Sequence, residues 1–127
     1  MSGAVLAFAL GFSVLLAAPA SPAHAAGDAE AGRRAFVKCA SCHQLGPSAR
    51  AAFGPQLNGI IGRQAGATAD YKYSDAMKKS GIVWTEEKLV AFLKSPDDTV
   101  PGNKMRFFGI RSEQQIADLL AYLKQYP

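Results

Sequence analysis

Between Ser112 and Lys124 the apolar residues Ile116, Leu119, Leu120 and Leu123 fall at i, i+3, i+4 and i+7, the spacing of one helix face. Ser112-Glu113-Gln114-Gln115 opens that helix as a capping box. Helical spacing recurs at Leu89, Phe92 and Leu93, in a segment that starts at Thr85 and ends at Pro96. Glu86 and Glu87 fall in its first turn, where carboxylates favour the helix dipole. A shorter helix is predicted from Ser74 to Ser80, with Ser74 as N-cap and Gly81 as the stop. Near the start of the patterned region Asp28 caps a helix reaching about Ala40, with Gly32 and Phe36 on one face. The pattern predicts an all-α chain of about four helices.

The stretch from Gln44 to Tyr73 breaks this pattern. It shows no periodicity and holds five glycines and two prolines. An irregular segment that long argues against an ordinary compact domain. It makes sense if it wraps a cofactor.

The first 26 residues contain no Lys, Arg, Asp or Glu. An apolar run from Gly3 to Ala18 is followed by Pro19, Ser21 and Pro22, then by Ala23-His24-Ala25. An apolar stretch, a breaker and an Ala-x-Ala site read as a secretory leader, cleaved after Ala25 or Ala26. The n-region lacks a basic residue, which leaves an uncleaved anchor as the alternative. That run, at 16 residues, falls short of the ~20 that span a bilayer. The expectation is residues 1–26 as signal peptide and 27–127 as one exported, periplasmic domain with no stable membrane insertion. About 100 residues bury only a modest share of their surface, so an apolar group in the core would help them fold. All 14 basic and 10 acidic residues lie in that domain. The net charge of +4 is spread without a dense run, which excludes a nucleic-acid binder and suits transient contact with acidic protein partners.

Cys39-Ala40-Ser41-Cys42-His43 is the attachment motif for c-type haem. Positions three apart share a helix face, so both sulfurs can bond the two vinyl groups of one haem. His43 follows directly to place its imidazole on the iron. A thioredoxin-like redox pair would need a βαβ pattern, and none is visible. A four-ligand zinc site needs two more ligands, and His24, in the leader, is the only other histidine. A second iron ligand is expected from Pro101-Gly102-Asn103-Lys104-Met105. Met1 is the initiator and Met77 lies in the short helix, which leaves Met105, on a stiff loop, as the better candidate.

With these residues the chain resembles a class I cytochrome c of the mitochondrial and alphaproteobacterial type. The likeness runs from about Gly27 to Lys124. It rests on the haem motif and, in order, on Gly54-Pro55-Gln56-Leu57-Asn58-Gly59, Gly62-Arg63, Tyr71-Lys72-Tyr73-Ser74-Asp75-Ala76, Gly81-Ile82-Val83-Trp84, Pro101-Gly102-Asn103-Lys104-Met105 and Leu119-Leu120-Ala121-Tyr122-Leu123-Lys124. The resemblance implies one covalent haem c in an all-α cytochrome c fold, with Cys39 and Cys42 as attachment points and His43 and Met105 as axial ligands. It implies that Pro55 accepts the Nδ1–H of His43, which fixes the ring and makes it a better donor. It implies that Arg63, Tyr73 and Trp84 address a haem propionate, since a buried carboxylate needs hydrogen bonds or a cation. It implies that Gly32 and Phe36 cross the last helix near Leu119 and Tyr122. Arg33, Lys38, Arg50, Lys104 and Arg111 match positions that ring the docking face, while Asp97 stands where a lysine is usual. Met77, Phe92 and Asn103 replace the Asn, Tyr and Thr that surround a buried water beside the methionine ligand.

Six iron ligands leave no vacancy, so the implied activity is outer-sphere electron transfer and not enzymatic catalysis. The expected role is a monomeric one-electron carrier between a quinol–cytochrome c reductase or periplasmic dehydrogenase and a terminal oxidase or reaction centre. Two alternatives remain open: a haem enzyme or gas sensor with a displaceable Met105, and a membrane-tethered haem subunit if the leader is retained.

Overall fold

The computed structural model describes Met1, Gly3 and residues 26–127. The expected leader, with its Ala23-His24-Ala25 site, otherwise lies outside the described residues. Five helices follow in order: α1 (Ala29–Phe36), α2 (Asp75–Lys79), α3 (Glu86–Lys94), α4 (Pro96–Thr99) and α5 (Glu113–Leu123).

Four of the five starts are capped by the side chain the sequence offers. Asp28 accepts from the N–H groups of Glu30 and Ala31, Ser74 from Met77, Thr85 from Lys88 and Ser112 from Gln115. Two boundaries differ from expectation. α1 stops at Phe36, and Val37 to Cys42 continue as single hydrogen-bonded turns. Pro96 ends α3 but also begins α4. Ser95 swings out to an extended φ of −151°, and Pro96, which has no N–H to lose, occupies the first helical position.

The scaffold is the crossing of α1 and α5. Gly32 sits at the closest approach, where a Cβ would lie 2.6 Å from the Asp118 carbonyl carbon and 2.8 Å from Tyr122 Cβ. One turn further along, Phe36 meets the Tyr122 ring at 5.6 Å between centroids. Asp118 Oδ1 accepts the Asp28 N–H at 2.8 Å, tying the start of α1 to α5.

The irregular segment is anchored by backbone hydrogen bonds. Gly54 N–H donates to Cys42 O, Leu57 N–H to Gln44 O and Gly59 N–H to Tyr126 O, at 2.7–3.0 Å. A single antiparallel bridge joins Gln64 to Val83, and Trp84 N–H donates to Arg63 O at 2.9 Å. Among the described residues there is no strand, and the architecture is all-α. No described helix is long and apolar enough to cross a membrane.

The Gly32→Ala substitution tests the crossing. Its Cβ meets backbone and a Cβ, which cannot swing away, so the helices must separate. The cost should fall at the upper end of the overpacking range, about 3 kcal/mol. A denaturant titration of the holoprotein should show it as a lowered midpoint at constant slope. An unchanged midpoint would mean the crossing is loose.

Candidate functional site

Twelve residues form the hydrophobic core cluster among those described: Phe36, Ile60, Ala65, Trp84, Leu89, Phe92, Leu93, Val100, Ile116, Leu119, Leu120 and Leu123. Eight of them (Phe36, Ile60, Trp84, Leu89, Phe92, Leu93, Leu119 and Leu123) line one cavity of about 430 Å³. Interiors of folded proteins are otherwise close-packed. This core is built around a space the chain itself does not fill.

The chemistry-bearing residues converge on the same space. Cys39, Cys42, His43, Pro55, Arg63, Tyr73, Trp84 and Met105 all line it. The turns after α1 set the first three: Cys39 N–H donates to Phe36 O at 2.7 Å, Cys42 N–H to Cys39 O at 3.0 Å and His43 N–H to Cys39 O at 2.9 Å. Cys39 is half-buried and Cys42 exposed, and the two form no disulfide with each other. Burial pushes the Cys39 thiol up from its ordinary pKa, and neighbouring Cys42 adds to this.

His43 Nδ1 lies 2.7 Å from Pro55 O. A carbonyl only accepts, so Nδ1 carries the proton and the Nε2 lone pair is left for a metal. Burial lowers the imidazole pKa, while the Pro55 bond acts the other way and Arg63 adds to the lowering. Gly54 fixes the ring from its face: a Cβ there would lie 2.5 Å from Cε1 and 2.9 Å from Nδ1. Any larger residue displaces the imidazole.

Arg63 is a partly buried cation whose ties are to carbonyls, Nη1 to Asn58 O at 3.1 Å and Nη2 to Gln56 O at 2.8 Å. Burial lowers its pKa, against the pull of Tyr73 and Asp70. Tyr73 Oη pairs with Thr68 Oγ1 at 2.6 Å. Trp84 is 6% exposed and stacks at a tilt on Phe92, 5.0 Å between centroids. Met105 is held by its backbone, its N–H donating to Asn103 Oδ1 at 2.8 Å.

Some expected neighbours separate. Met77 and Phe92 line the cavity, but Asn103 turns into its own loop toward Asp97 and Val100. Of the expected basic ring, Lys38 and Lys104 reach the cavity wall, and Arg33 is bound to Glu30 at 2.7 Å. Arg106, Phe53, Phe107 and Tyr71 also line the wall, which residue type alone did not indicate. Their signal is position: Arg106 and Phe107 directly follow Met105, and Phe53 directly precedes Gly54-Pro55. Phe53 is 86% exposed and stands on the rim.

These residues fit a haem. The walls are apolar and long, two thiols lie one helical turn apart, and an imidazole lone pair and a thioether share the wall. A cation hydrogen-bonded to two carbonyls meets the need of a carboxylate brought into a partly buried place. When bound, such an iron centre supplies one-electron redox chemistry at a potential set by its axial ligands and surroundings.

The comparisons with known proteins agree. The family model for cytochrome c matches residues 29–127. The chain is 46% identical over 112 residues to cytochrome c2 of Blastochloris viridis, covering 88% of this chain and 87% of that one. It is 49% identical over 100 residues to cytochrome c2 of Agrobacterium tumefaciens, covering 76% and 90%. Among solved structures, cytochrome cH from Methylobacterium extorquens superposes with a TM-score of 0.73 at 44% identity, covering 78% of this chain and 99% of that one. The chain belongs to the cytochrome c family, as an electron-transfer protein with covalently attached haem c and not an enzyme.

Proposed function

We propose that this chain is a diffusible, monomeric one-electron carrier whose haem is bonded at Cys39 and Cys42 and ligated by His43 and Met105. One observation carries the reading: both thiols, the imidazole and the thioether line a single cavity enclosed by most of the buried core. Pro55 holds the His43 ring in the tautomer that offers Nε2. Arg63, Tyr73 and Trp84 supply the cationic and polar wall suited to a propionate. Leu89, Phe92, Leu93 and Leu119 exclude water and lower the local dielectric. A thioether raises the reduction potential relative to a second imidazole. A packed pocket limits rearrangement between the two oxidation states. The chain's task is therefore to bind, orient and insulate, while the haem provides the redox step.

The partners proposed are a quinol–cytochrome c reductase or periplasmic dehydrogenase as donor and a terminal oxidase or reaction centre as acceptor. Lys38, Lys104 and Arg106 at the cavity wall give a basic approach to acidic surfaces. The chain works in the periplasm after removal of residues 1–26.

Three measurements test this reading. The oxidised wild type should show a sulfur-to-iron charge-transfer band in the red. The Met105→Ala variant should lose the band, fall in potential and bind imidazole at least about tenfold tighter, the factor that about 1.4 kcal/mol of lost competition supplies. A wild type without the band would remove Met105 as ligand. Electron-transfer rates with a reductase should fall steeply with added salt, as the Debye length shrinks from about 30 Å at 0.01 M to 10 Å at 0.1 M. Rates indifferent to ionic strength would remove the basic approach. Finally, the intact mass of the exported protein should match a chain beginning at Ala26 or Gly27 plus one haem; a retained Met1 would favour the tethered subunit.

A further inference from the structure

The amide of Asn103 bridges α4 and the backbone of Met105. Its Oδ1 accepts the Met105 N–H at 2.8 Å. Its Nδ2 donates to Asp97 Oδ1 at 3.0 Å and to Val100 O at 3.0 Å. The Asn103 backbone N–H also reaches Val100 O at 3.0 Å, across Pro101-Gly102 with Gly102 at φ +84°, the pattern of a type II turn. The Val100 carbonyl, with two lone pairs, thus takes two bonds from one residue. Asp97 lies in the first turn of α4, so the amide ties that helix to the backbone of the residue next to the haem cavity.

Met105 lies in a segment with no regular secondary structure, and a thioether is a weak ligand. How well it holds the iron depends on how much order its loop has before binding, because each ordered residue would otherwise be frozen at the moment of ligation. We propose that Asp97 and Asn103 form a latch that pre-orders the Met105 loop, with Asn103 as a positioning residue for the iron ligand. This rests on the assignment of Met105 as ligand. Asn103 itself does not line the cavity, so it acts through the Met105 backbone and not by touching the haem. Asp97, where a docking lysine would be usual, then serves the loop instead of the partner surface.

The polarity of the latch gives it a test. In Asn103→Asp the new carboxylate still accepts the Met105 N–H but loses both donors and faces the Asp97 carboxylate and the Val100 carbonyl. In Asp97→Asn the amide oxygen still accepts from Asn103. In the double substitution Asp97→Asn/Asn103→Asp the roles reverse: the new amide donates to the new carboxylate. Imidazole is titrated into each ferric holoprotein, with the charge-transfer band followed in parallel. Asn103→Asp should bind imidazole about tenfold tighter than wild type, as expected for loss of hydrogen bonds to a charged group. Asp97→Asn should stay within about twofold of wild type, and the double variant should return most of the way to it. A role in bulk stability alone would move unfolding midpoints without this reversal. Equal imidazole affinity in wild type and Asn103→Asp, or no recovery in the double variant, overturns the latch. A wild type lacking the charge-transfer band overturns the ligand assignment itself and the latch with it.

Discussion

The controlling constraint in this chain is that most of its buried apolar side chains face a shared space as well as one another. A domain of about 100 residues has little burial to spare, and here Trp84, Leu89, Phe92 and Leu119 turn their surfaces to a cavity. A large flat apolar group in that space would add contacts to walls that are already buried. Fold and cofactor are one energetic problem, and the helices are better understood as walls than as a bundle.

The two classes of wall have different physical origins. α1 and α5 are regular because each offers a periodic apolar face, and they meet where Gly32 lets backbones approach. The opposite side is irregular because its task is to aim individual groups: Pro55 O at His43, Arg63 beside Trp84, Asn103 at Met105. Such a segment satisfies part of its backbone internally, as from Leu57 N–H to Gln44 O, and borrows the rest. Its outside partners include Cys42, Trp84 and Tyr126, so residues flanking the helices brace the loops that line the cavity.

The regular elements were legible because each carries its own punctuation. Asp28, Ser74, Thr85 and Ser112 are all found capping the helix they precede. Cys39-Ala40-Ser41-Cys42-His43 was legible as a cluster from its spacing alone, and its two sulfurs and imidazole share one cavity wall. The extra helix α4 was not legible: Pro96 signals an end and a beginning in the same way, and only the extended Ser95 separates them. Nor was the outward turn of Asn103, because residue type says that an amide will find partners but not which ones. Arg106 and Phe53 at the cavity wall were equally silent, being placed by loops whose course depends on long-range hydrogen bonds.

The two cysteines stand just beyond α1, three and six residues after Phe36. A haem bonded there, as proposed, would already be part of the wall beside the α1–α5 crossing, so closing the rest of the chain over it would be an intramolecular event with a high effective concentration. Dilution cannot empty such a site, and a competing binder elsewhere in the compartment cannot strip it. A protein that meets its partners by leaving one and finding the next therefore travels with its redox centre as a fixed part of its covalent structure, and exchange of partners never becomes exchange of haem.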